Sequence, residues 1–211
     1  MNKYVKLKAT GCNVSLKVVL GHFATNHSHI NYYIDTTTLK ARQSEAREVA
    51  KALAPRYLYD TIVDTIICLE GMEVVGAYLA EELSRGGVMS MNTHNAIYVI
   101  APEFNSNSQM IFRDNYIPMI KGKNVILLMS AISTGKTINK GMECVMYYGG
   151  TLRGIAAIFS ALEEENGVPI NAVFSTEDVP GYQTYDYRDC PYCKEGEKLD
   201  ALVNCYGYSL I

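Results

Sequence analysis

The spacing of apolar residues changes repeatedly along the chain, and it predicts a succession of strands and helices. Short apolar runs, which are typical of buried strands, occupy residues 61–69, 95–101, 125–129, 154–159 and 172–175. Apolar positions three and four residues apart predict helices over residues 38–53, 74–83 and 137–148. Residues 3–20 alternate less regularly and predict short strands or irregular structure. Strands that alternate with helices indicate an α/β fold with a mostly parallel central sheet flanked by helices.

The composition excludes several classes of protein. Hydrophobic residues make up 48% of the chain and charged residues 19%, which excludes a disordered chain. The net charge of -3 argues against a nucleic-acid binder that works through positive charge. No apolar run approaches the ~18 residues that a membrane span needs, and the N-terminus lacks the apolar core of a signal peptide. We therefore expect a cytoplasmic protein that binds neither nucleic acid nor membranes.

The segment after the apolar run at 125–129 predicts a site for an anion. Ser133, Thr134, Gly135, Lys136 and Thr137 stand between a strand and the start of a helix. Backbone N–H groups at a helix N-terminus have no partner within the helix, and a glycine lets a phosphate approach the main chain. The alternative is that these hydroxyl residues only cap the helix. Their position directly after a buried strand favours the phosphate site.

One family compatible with this loop is the P-loop NTPases. Residues 135–137 match the end of the pattern G-x-x-x-x-G-K-[ST], but Ser130 occupies the position of its first glycine. That glycine allows the loop to wrap around the phosphates. The motif also lies far along the chain, with few residues left to complete a nucleotide-binding sheet. Both points argue against a P-loop ATPase.

The loop also resembles the phosphate-binding loop of the type I phosphoribosyltransferases, and further segments extend the resemblance over nearly the whole chain. Five of them are similar, in order, to orotate phosphoribosyltransferases: residues 21–35 (GHFATNHSHINYYID), 44–53 (SEAREVAKAL), 68–80 (CLEGMEVVGAYLA), 109–113 with 121–125 (QMIFR, KGKNV) and 190–196 (CPYCKEG).

The resemblance implies a fold, a reaction and a set of ligands. It implies a single domain over residues 1–211, with a small N-terminal hood (1–37), a core (38–180) and a C-terminal extension (181–211). The implied reaction transfers a phosphoribosyl group from phosphoribosyl diphosphate to a nucleobase such as orotate, with Mg²⁺, in pyrimidine nucleotide biosynthesis. Family members are commonly homodimers. The residues implied to bind the 5-phosphate are those at 133–137, and those implied to flank the diphosphate are Glu70, Gly71, Met72 and Arg113.

The chain departs from the family pattern where the family carries two adjacent carboxylates. Those positions are Met129 and Ser130, and neither residue is acidic. The loss removes orientation of the ribose and electrostatic stabilisation of an oxocarbenium-like transition state. Glu70, Glu73 and Ser130 are the candidates to replace the pair. Two hypotheses remain: a divergent transferase, or a non-catalytic regulatory protein that binds phosphoribosyl compounds or nucleotides.

The cysteines raise the possibility of a zinc site. Cys190 and Cys193 have the C-x-x-C spacing of paired zinc ligands, and Cys205, with Cys12 as a further possibility, could complete the set. A lone C-x-x-C without a clear second pair favours free thiols instead.

The histidines and an acidic run receive simpler interpretations. The spacing of the histidines fits no regular metal-binding face, and we expect those near the N-terminus to belong to a polar loop beside the substrate. The acidic run at 163–165 is interpreted as a solvated surface. The histidines in question are His22, His27, His29 and His94.

Overall fold

The computed structural model describes residues 4–85, 87, 90–93, 95–107 and 109–211, and His94 lies outside this set. The strands are Val5–Lys8 (β1), Ser15–Ala24 (β2), His29–Asp35 (β3), Thr65–Cys68 (β4), Tyr98–Ile100 (β5), Glu103–Phe104 (β6), Met110–Ile111 (β7), Asn124–Ile132 (β8), Thr151–Ser160 (β9), Glu164–Glu165 (β10), Val168–Ser175 (β11), Thr184–Tyr185 (β12), Ala201–Asn204 (β13) and Gly207–Leu210 (β14). The helices are Thr37–Ala41 (α1), Gln43–Leu53 (α2), Pro55–Leu58 (α3), Glu73–Arg85 (α4), Lys136–Tyr147 (α5) and Pro191–Lys194 (α6), with a 3₁₀ turn at Ile117–Met119.

The central sheet is mostly parallel, which confirms the predicted fold class. Its order is β10-β11-β9-β8-β4-β5, and only the edge pair β10–β11 is antiparallel. Helices α2 and α4 pack on one face and α5 packs on the other. Successive residues of β4 point to opposite faces, so that Ile66 packs with α2 and α4 whereas Ile67 packs on the α5 side. Burial of both faces explains the nearly continuous apolar runs in the sequence.

A second sheet is formed by both ends of the chain. Strands β2 and β3 form a hairpin, and the C-terminal strand β13 runs parallel to β2 beside it. Strands β1, β12 and β14 complete this sheet, which we call the hood sheet. The expected hood at residues 1–37 is therefore extended by β12, β13 and β14 of the C-terminal extension. This extension was not predicted, because the C-terminal strands are only two to four residues long and show little periodicity.

The helix predicted over residues 38–53 is divided in two, so that prediction was wrong in its continuity. Arg42 adopts an extended conformation between α1 and α2, with φ -86° and ψ 119°. The apolar spacing does not reveal the break, because Leu39 and Ala46 are seven residues apart and would share a face of a continuous helix as well. Among the described residues, no helix is long and apolar enough to cross a membrane.

Candidate functional site

A cavity lies where the carboxyl ends of the central parallel strands meet the hood sheet. The predicted phosphate loop at 133–137 lines it from the end of β8, and Glu70 lines it from the turn after β4. Ligands of open parallel sheets bind at this edge. The remaining lining residues come from the hood hairpin and its following helix, from the core strands and from the C-terminal extension: Thr25, Asn26, His27, Ile30, Tyr33, Ile34, Thr36, Thr37, Met129, Ser130, Ala131, Ile132, Ile138, Phe159, Tyr182, Val203, Asn204 and Cys205.

The phosphate loop has the local geometry of an anion cradle. Gly135 has a φ of 74° and stands at the N-cap of α5, where a residue with a side chain would be strained. The backbone N–H groups of Lys136, Thr137 and Ile138 precede the first helical hydrogen bond, which Asn139 donates to the carbonyl of Gly135. These three amides therefore remain available to an anion at the cavity. The structure thus brings all five predicted loop residues to one wall.

Glu163 and Glu164 are exposed, as the interpretation of residues 163–165 as a solvated run expects, but Glu165 is half-buried against the start of α5, and for Glu165 that interpretation was wrong. Its Oε1 accepts a hydrogen bond of 2.8 Å from Nδ2 of Asn139 on α5. A methyl group added to Gly135 would collide with the Glu165 carboxylate and would lie 3.3 Å from Cδ1 of Leu162. The Glu165 carboxylate therefore leaves no room for a side chain at position 135.

Glu70 places a carboxylate where the family pattern lacks one. Its Oε2 accepts a hydrogen bond of 2.5 Å from the hydroxyl of Ser130 and one of 3.2 Å from the Ser130 amide. The amide of Ala131 donates to the same oxygen at 3.4 Å. The other oxygen, Oε1, accepts no hydrogen bond within the described residues. A negative charge is thus held against the end of β8, although Met129 and Ser130 themselves carry none.

Glu70 presents its carboxylate to Ser130 from a strained backbone conformation. Glu70 has a φ of 59°, a conformation that costs a non-glycine residue about 1–2 kcal/mol. Such outliers cluster at functional sites when surrounding contacts enforce them. One such contact comes from Lys40, whose ammonium donates hydrogen bonds of 2.7 Å to the carbonyl of Glu70 and of 2.5 Å to the carbonyl of Cys205. Lys40 was not singled out from the sequence, since a lysine on a short helix carries no local signal.

The other residues predicted near the diphosphate occupy different environments. Gly71 and Glu73 are exposed in the turn and at the start of α4, whereas the side chain of Met72 is fully buried in the core, so that only its main chain could contact a ligand. Arg113 lies outside the cavity lining and forms an ion pair with Glu103, with 2.6 Å between its Nη2 and the Glu103 Oε2. Its predicted role over the diphosphate stays a prediction and requires that ion pair to open.

His27 stands at the rim of the cavity close to two lysines. Burial lowers its pKa from the ordinary value, and the charges of Lys136 and Lys140 lower it further. The turn that carries His27 is held by the hydroxyl of Thr25, which accepts hydrogen bonds from the amides of His27 and Ser28. His27 therefore lies in a polar turn at the cavity, and its predicted place beside a substrate stays a prediction.

One wall of the cavity is apolar and partly aromatic. Phe159 and Tyr182 meet edge to face, with ring centroids 5.0 Å apart, and Ile30 and Tyr33 line the cavity from the hood sheet. Among the described lining residues, Glu70 and Lys136 are the ones that are charged at neutral pH. The cavity therefore combines an anion cradle, one carboxylate and an apolar surface suited to a planar ring.

The candidate zinc ligands are not brought together as predicted. Cys190 and Cys193 meet His22 and His29, so that those two histidines lie away from the polar loop expected beside the substrate. Cys205 lines the cavity instead, and Cys12 packs at the edge of the apolar core. The expectation that Cys205 would complete the set was wrong, because β13 carries Cys205 to the turn at Glu70 and Lys40.

No family model matches the chain. The chain is 25% identical over 179 residues to the orotate phosphoribosyltransferase of Pelotomaculum thermopropionicum, with 83% of this chain and 85% of the relative covered. A solved orotate phosphoribosyltransferase of Mycobacterium tuberculosis H37Rv aligns with a TM-score of 0.54 at 14% identity, over 78% of this chain and 93% of that one. The same enzyme in complex with 5-phospho-α-D-ribosyl 1-diphosphate gives a TM-score of 0.51 at 13% identity, over 70% and 82%.

These similarities confirm the predicted resemblance. The chain has the fold of the type I phosphoribosyltransferases, and its sequence is similar to orotate phosphoribosyltransferases over most of its length.

Proposed function

We propose that the chain binds phosphoribosyl diphosphate in this cavity and transfers its phosphoribosyl group to a nucleobase, with orotate as the first candidate. The observation that carries the proposal is the Glu70 carboxylate, which is bonded to Ser130 in the cavity that the phosphate loop also lines. The complex of the M. tuberculosis enzyme with phosphoribosyl diphosphate and the names of the relatives support the choice of ligand.

The phosphate loop would hold the 5-phosphate of the substrate. The amides of Lys136, Thr137 and Ile138 point from a helix N-terminus, where the helix dipole favours a negative group. Hydroxyl groups of Ser133, Thr134 and Thr137 are placed to donate further hydrogen bonds, and Lys136 adds a positive charge. Binding at this end fixes the ribose between the loop and the end of β8.

Glu70 would face the ribose and stabilise the charge that develops on it. In the proposed reaction, the bond between ribose C1 and the diphosphate oxygen breaks while a bond from C1 to a ring nitrogen of the base forms. Pyrophosphate leaves, and the proton of that ring nitrogen passes to the departing pyrophosphate or to solvent. Positive charge builds on the ribose ring as the first bond lengthens. A carboxylate that is already oriented by Ser130 stabilises that charge without reorganisation.

The proposal includes a Mg²⁺ ion that this same carboxylate would coordinate. Magnesium is commonly held by one or two carboxylates together with substrate phosphates, and the uncommitted Oε1 of Glu70 suits that mode of binding. Glu73 is exposed one turn away and is a second candidate. The ion would supply neutralisation of the diphosphate charge. Lys40 would fix the turn that presents Glu70, through the Glu70 carbonyl.

The apolar wall would receive the base. Phe159, Tyr182 and Ile30 offer flat and apolar contacts, which any nucleobase could use. Orotate is therefore to be tested beside uracil, adenine and guanine. The homodimer implied by the resemblance is likewise a proposal, and sedimentation velocity on the purified chain tests it.

Substitution of the phosphate loop tests the binding part of the proposal. Lys136→Ala combined with Thr137→Ala removes a charge and a hydroxyl from the cradle, and we expect calorimetry to detect no binding of ribose 5-phosphate or phosphoribosyl diphosphate. Lys140→Ala is the matched control, since Lys140 lies one turn further along α5 and outside the cavity lining. Unchanged affinity in the double variant would exclude the cradle as the binding site.

Binding without turnover is the alternative outcome. If phosphoribosyl diphosphate binds but no base yields pyrophosphate, the chain is a non-catalytic binding protein, which is the second hypothesis drawn from the missing acidic pair.

A further inference from the structure

Two histidines and two cysteines direct their donor atoms at one another beside the hood sheet. His22 lies in β2 and His29 begins β3, while Cys190 directly precedes α6 and Cys193 lies within it. The donor atoms all lie within 4.8 Å of one another. Cys190 is fully buried and His22 is 3% exposed, so the cluster is closed to solvent on one side, while Cys193 lies at the surface.

Four of the six distances between the donor atoms match the edges of a zinc tetrahedron. His22 Nε2 lies 3.1 Å from His29 Nδ1, and the Cys190 Sγ lies 3.4 Å from the same His22 nitrogen. Cys193 Sγ lies 3.3 Å from His29 Nδ1 and 3.6 Å from His22 Nε2. Bond lengths of about 2.05 Å for Zn–N and about 2.3 Å for Zn–S give tetrahedral edges of about 3.3 Å between nitrogens and about 3.6 Å between nitrogen and sulfur. The observed edges agree with these values to within about 0.3 Å.

The chemistry of the four groups also requires a cation or several protons at their centre. The imidazole nitrogens and sulfurs that meet here all offer lone pairs, and thiols are weak hydrogen-bond donors. Burying such groups against one another is costly unless something positive satisfies the lone pairs. Two thiolates with two imidazoles form a donor set that selects zinc among the divalent ions common in proteins.

We propose that His22, His29, Cys190 and Cys193 bind one Zn²⁺ ion in a structural site. Four protein ligands complete a tetrahedral shell, so no position remains for a substrate or a reactive water. The sequence did not reveal the set, because the histidines are seven residues apart on facing strands and the cysteines follow about 160 residues later. A hairpin rather than a helix brings the two imidazoles to one place.

The site would fasten the C-terminal extension to the hood hairpin. Asp200 binds the backbone of His22 through two hydrogen bonds. The His22 amide donates to the Asp200 carboxylate at 2.8 Å, and the Asp200 amide donates to the His22 carbonyl at 2.8 Å. Between His22 and His29 the chain forms the turn that carries Thr25 and His27 to the cavity. The zinc ion would therefore fix the rim of the cavity, whichever ligand the cavity binds.

Metal analysis of the purified chain tests the proposal. The chain is produced with zinc in the medium and purified under reducing conditions. We expect inductively coupled plasma mass spectrometry to find about one zinc ion per chain. Cys193→Ser is the informative variant, because Cys193 is exposed and its loss leaves the core intact. We expect this variant to lose its zinc and to melt at a lower temperature. Cys205→Ser is the matched control and should keep both the metal and the melting temperature.

Cobalt substitution provides a second readout, and its measurement on the wild-type chain does not depend on how any variant folds. Co²⁺ added to the demetallated wild-type chain should give the intense visible bands of tetrahedral cobalt and a charge-transfer band from the thiolates. The charge-transfer band should weaken in Cys193→Ser and persist in Cys205→Ser. A wild-type chain that takes up neither zinc nor cobalt overturns the proposal. So does a metal that is retained in Cys193→Ser and lost in Cys205→Ser, since it would bind elsewhere.

Discussion

Replacement of Glu70 by glutamine removes one negative charge from the cavity and keeps the shape of the side chain. The glutamine oxygen can still accept from the hydroxyl of Ser130, which donates to Glu70 at 2.5 Å, and from the amides of Ser130 and Ala131. A hydrogen bond to a charged group is worth roughly 1 kcal/mol more than a neutral one, so we expect a loss of about 1 kcal/mol in the free energy of unfolding.

The effect on transfer should be larger than the effect on stability. A positive charge that develops about 5 Å from the carboxylate, at an effective dielectric constant of about 20, is stabilised by about 3 kcal/mol. Loss of that term corresponds to a decrease of about two orders of magnitude in turnover, since about 1.4 kcal/mol is tenfold. Binding of phosphoribosyl diphosphate without Mg²⁺ should become tighter, because a carboxylate beside the diphosphate repels it.

Pyrophosphate release and calorimetric affinity, measured with and without Mg²⁺, check both parts of this prediction. Glu73→Gln tests the second candidate carboxylate, which lies at the start of α4 and outside the cavity lining, so we expect a smaller loss of turnover than in Glu70→Gln. Glu143→Gln is the matched control, because Glu143 is exposed on α5 and outside the cavity lining, and it should leave turnover within a fewfold of the wild type. Equal turnover in Glu70→Gln and the wild type would refute the reasoning that Glu70 replaces the missing acidic pair. A loss of turnover in Glu73→Gln equal to that in Glu70→Gln would show that the net negative charge of the turn matters, and not the position of the Glu70 carboxylate.

Two further predictions concern the phosphate loop and its rim. Gly135→Ala should lower the free energy of unfolding by about 1–2 kcal/mol because of its φ of 74°, with a further loss from the collision with Glu165, and it should abolish phosphate binding. Gly196→Ala, at a φ of 78° with open space around it, measures the cost of the backbone conformation alone. Equal urea midpoints for the two variants would contradict the collision. The pKa of His27 is lowered by burial and then by the nearby lysines, including Lys136. Protonation of His27 therefore disfavours the folded state below about pH 6.5. A bound phosphate raises this pKa, so that binding takes up a proton. Affinity for ribose 5-phosphate should therefore rise more steeply from about pH 8 to about pH 6 in the wild type than in His27→Asn, and parallel pH profiles would exclude His27 from the site.

The local periodicity of the chain accounted for most of the central sheet. Strand β8 was predicted from residues 125–129 and extends to Ile132, so Met129 and Ser130 lie within a strand and the loop begins at Ser133. Helix α5 begins within one residue of its predicted start. Periodicity succeeds here because both faces of each strand, and one face of each helix, are buried in one continuous core.

Contacts between distant segments were beyond such reasoning. The bond from Ser130 to Glu70 joins residues 60 positions apart, and the cysteine–histidine cluster joins residues more than 160 apart. The loop residues could be predicted because they are adjacent in sequence, whereas Lys40 and His22 acquire their roles from strand pairing and from the path of the C-terminal extension. The hood sheet was only half predicted for the same reason.

Transfer of the phosphoribosyl group is the most direct test of the proposed function. Pyrophosphate is measured after mixing the wild-type chain with phosphoribosyl diphosphate, Mg²⁺ and each of orotate, uracil, adenine and guanine in turn, beside Glu70→Gln and the double variant of Lys136 and Thr137. We expect release with one base, with orotate as the first candidate, a decrease of about two orders of magnitude in Glu70→Gln, and none in the double variant. Binding of phosphoribosyl diphosphate without release for any base would contradict the transferase, and absence of binding would contradict the site itself.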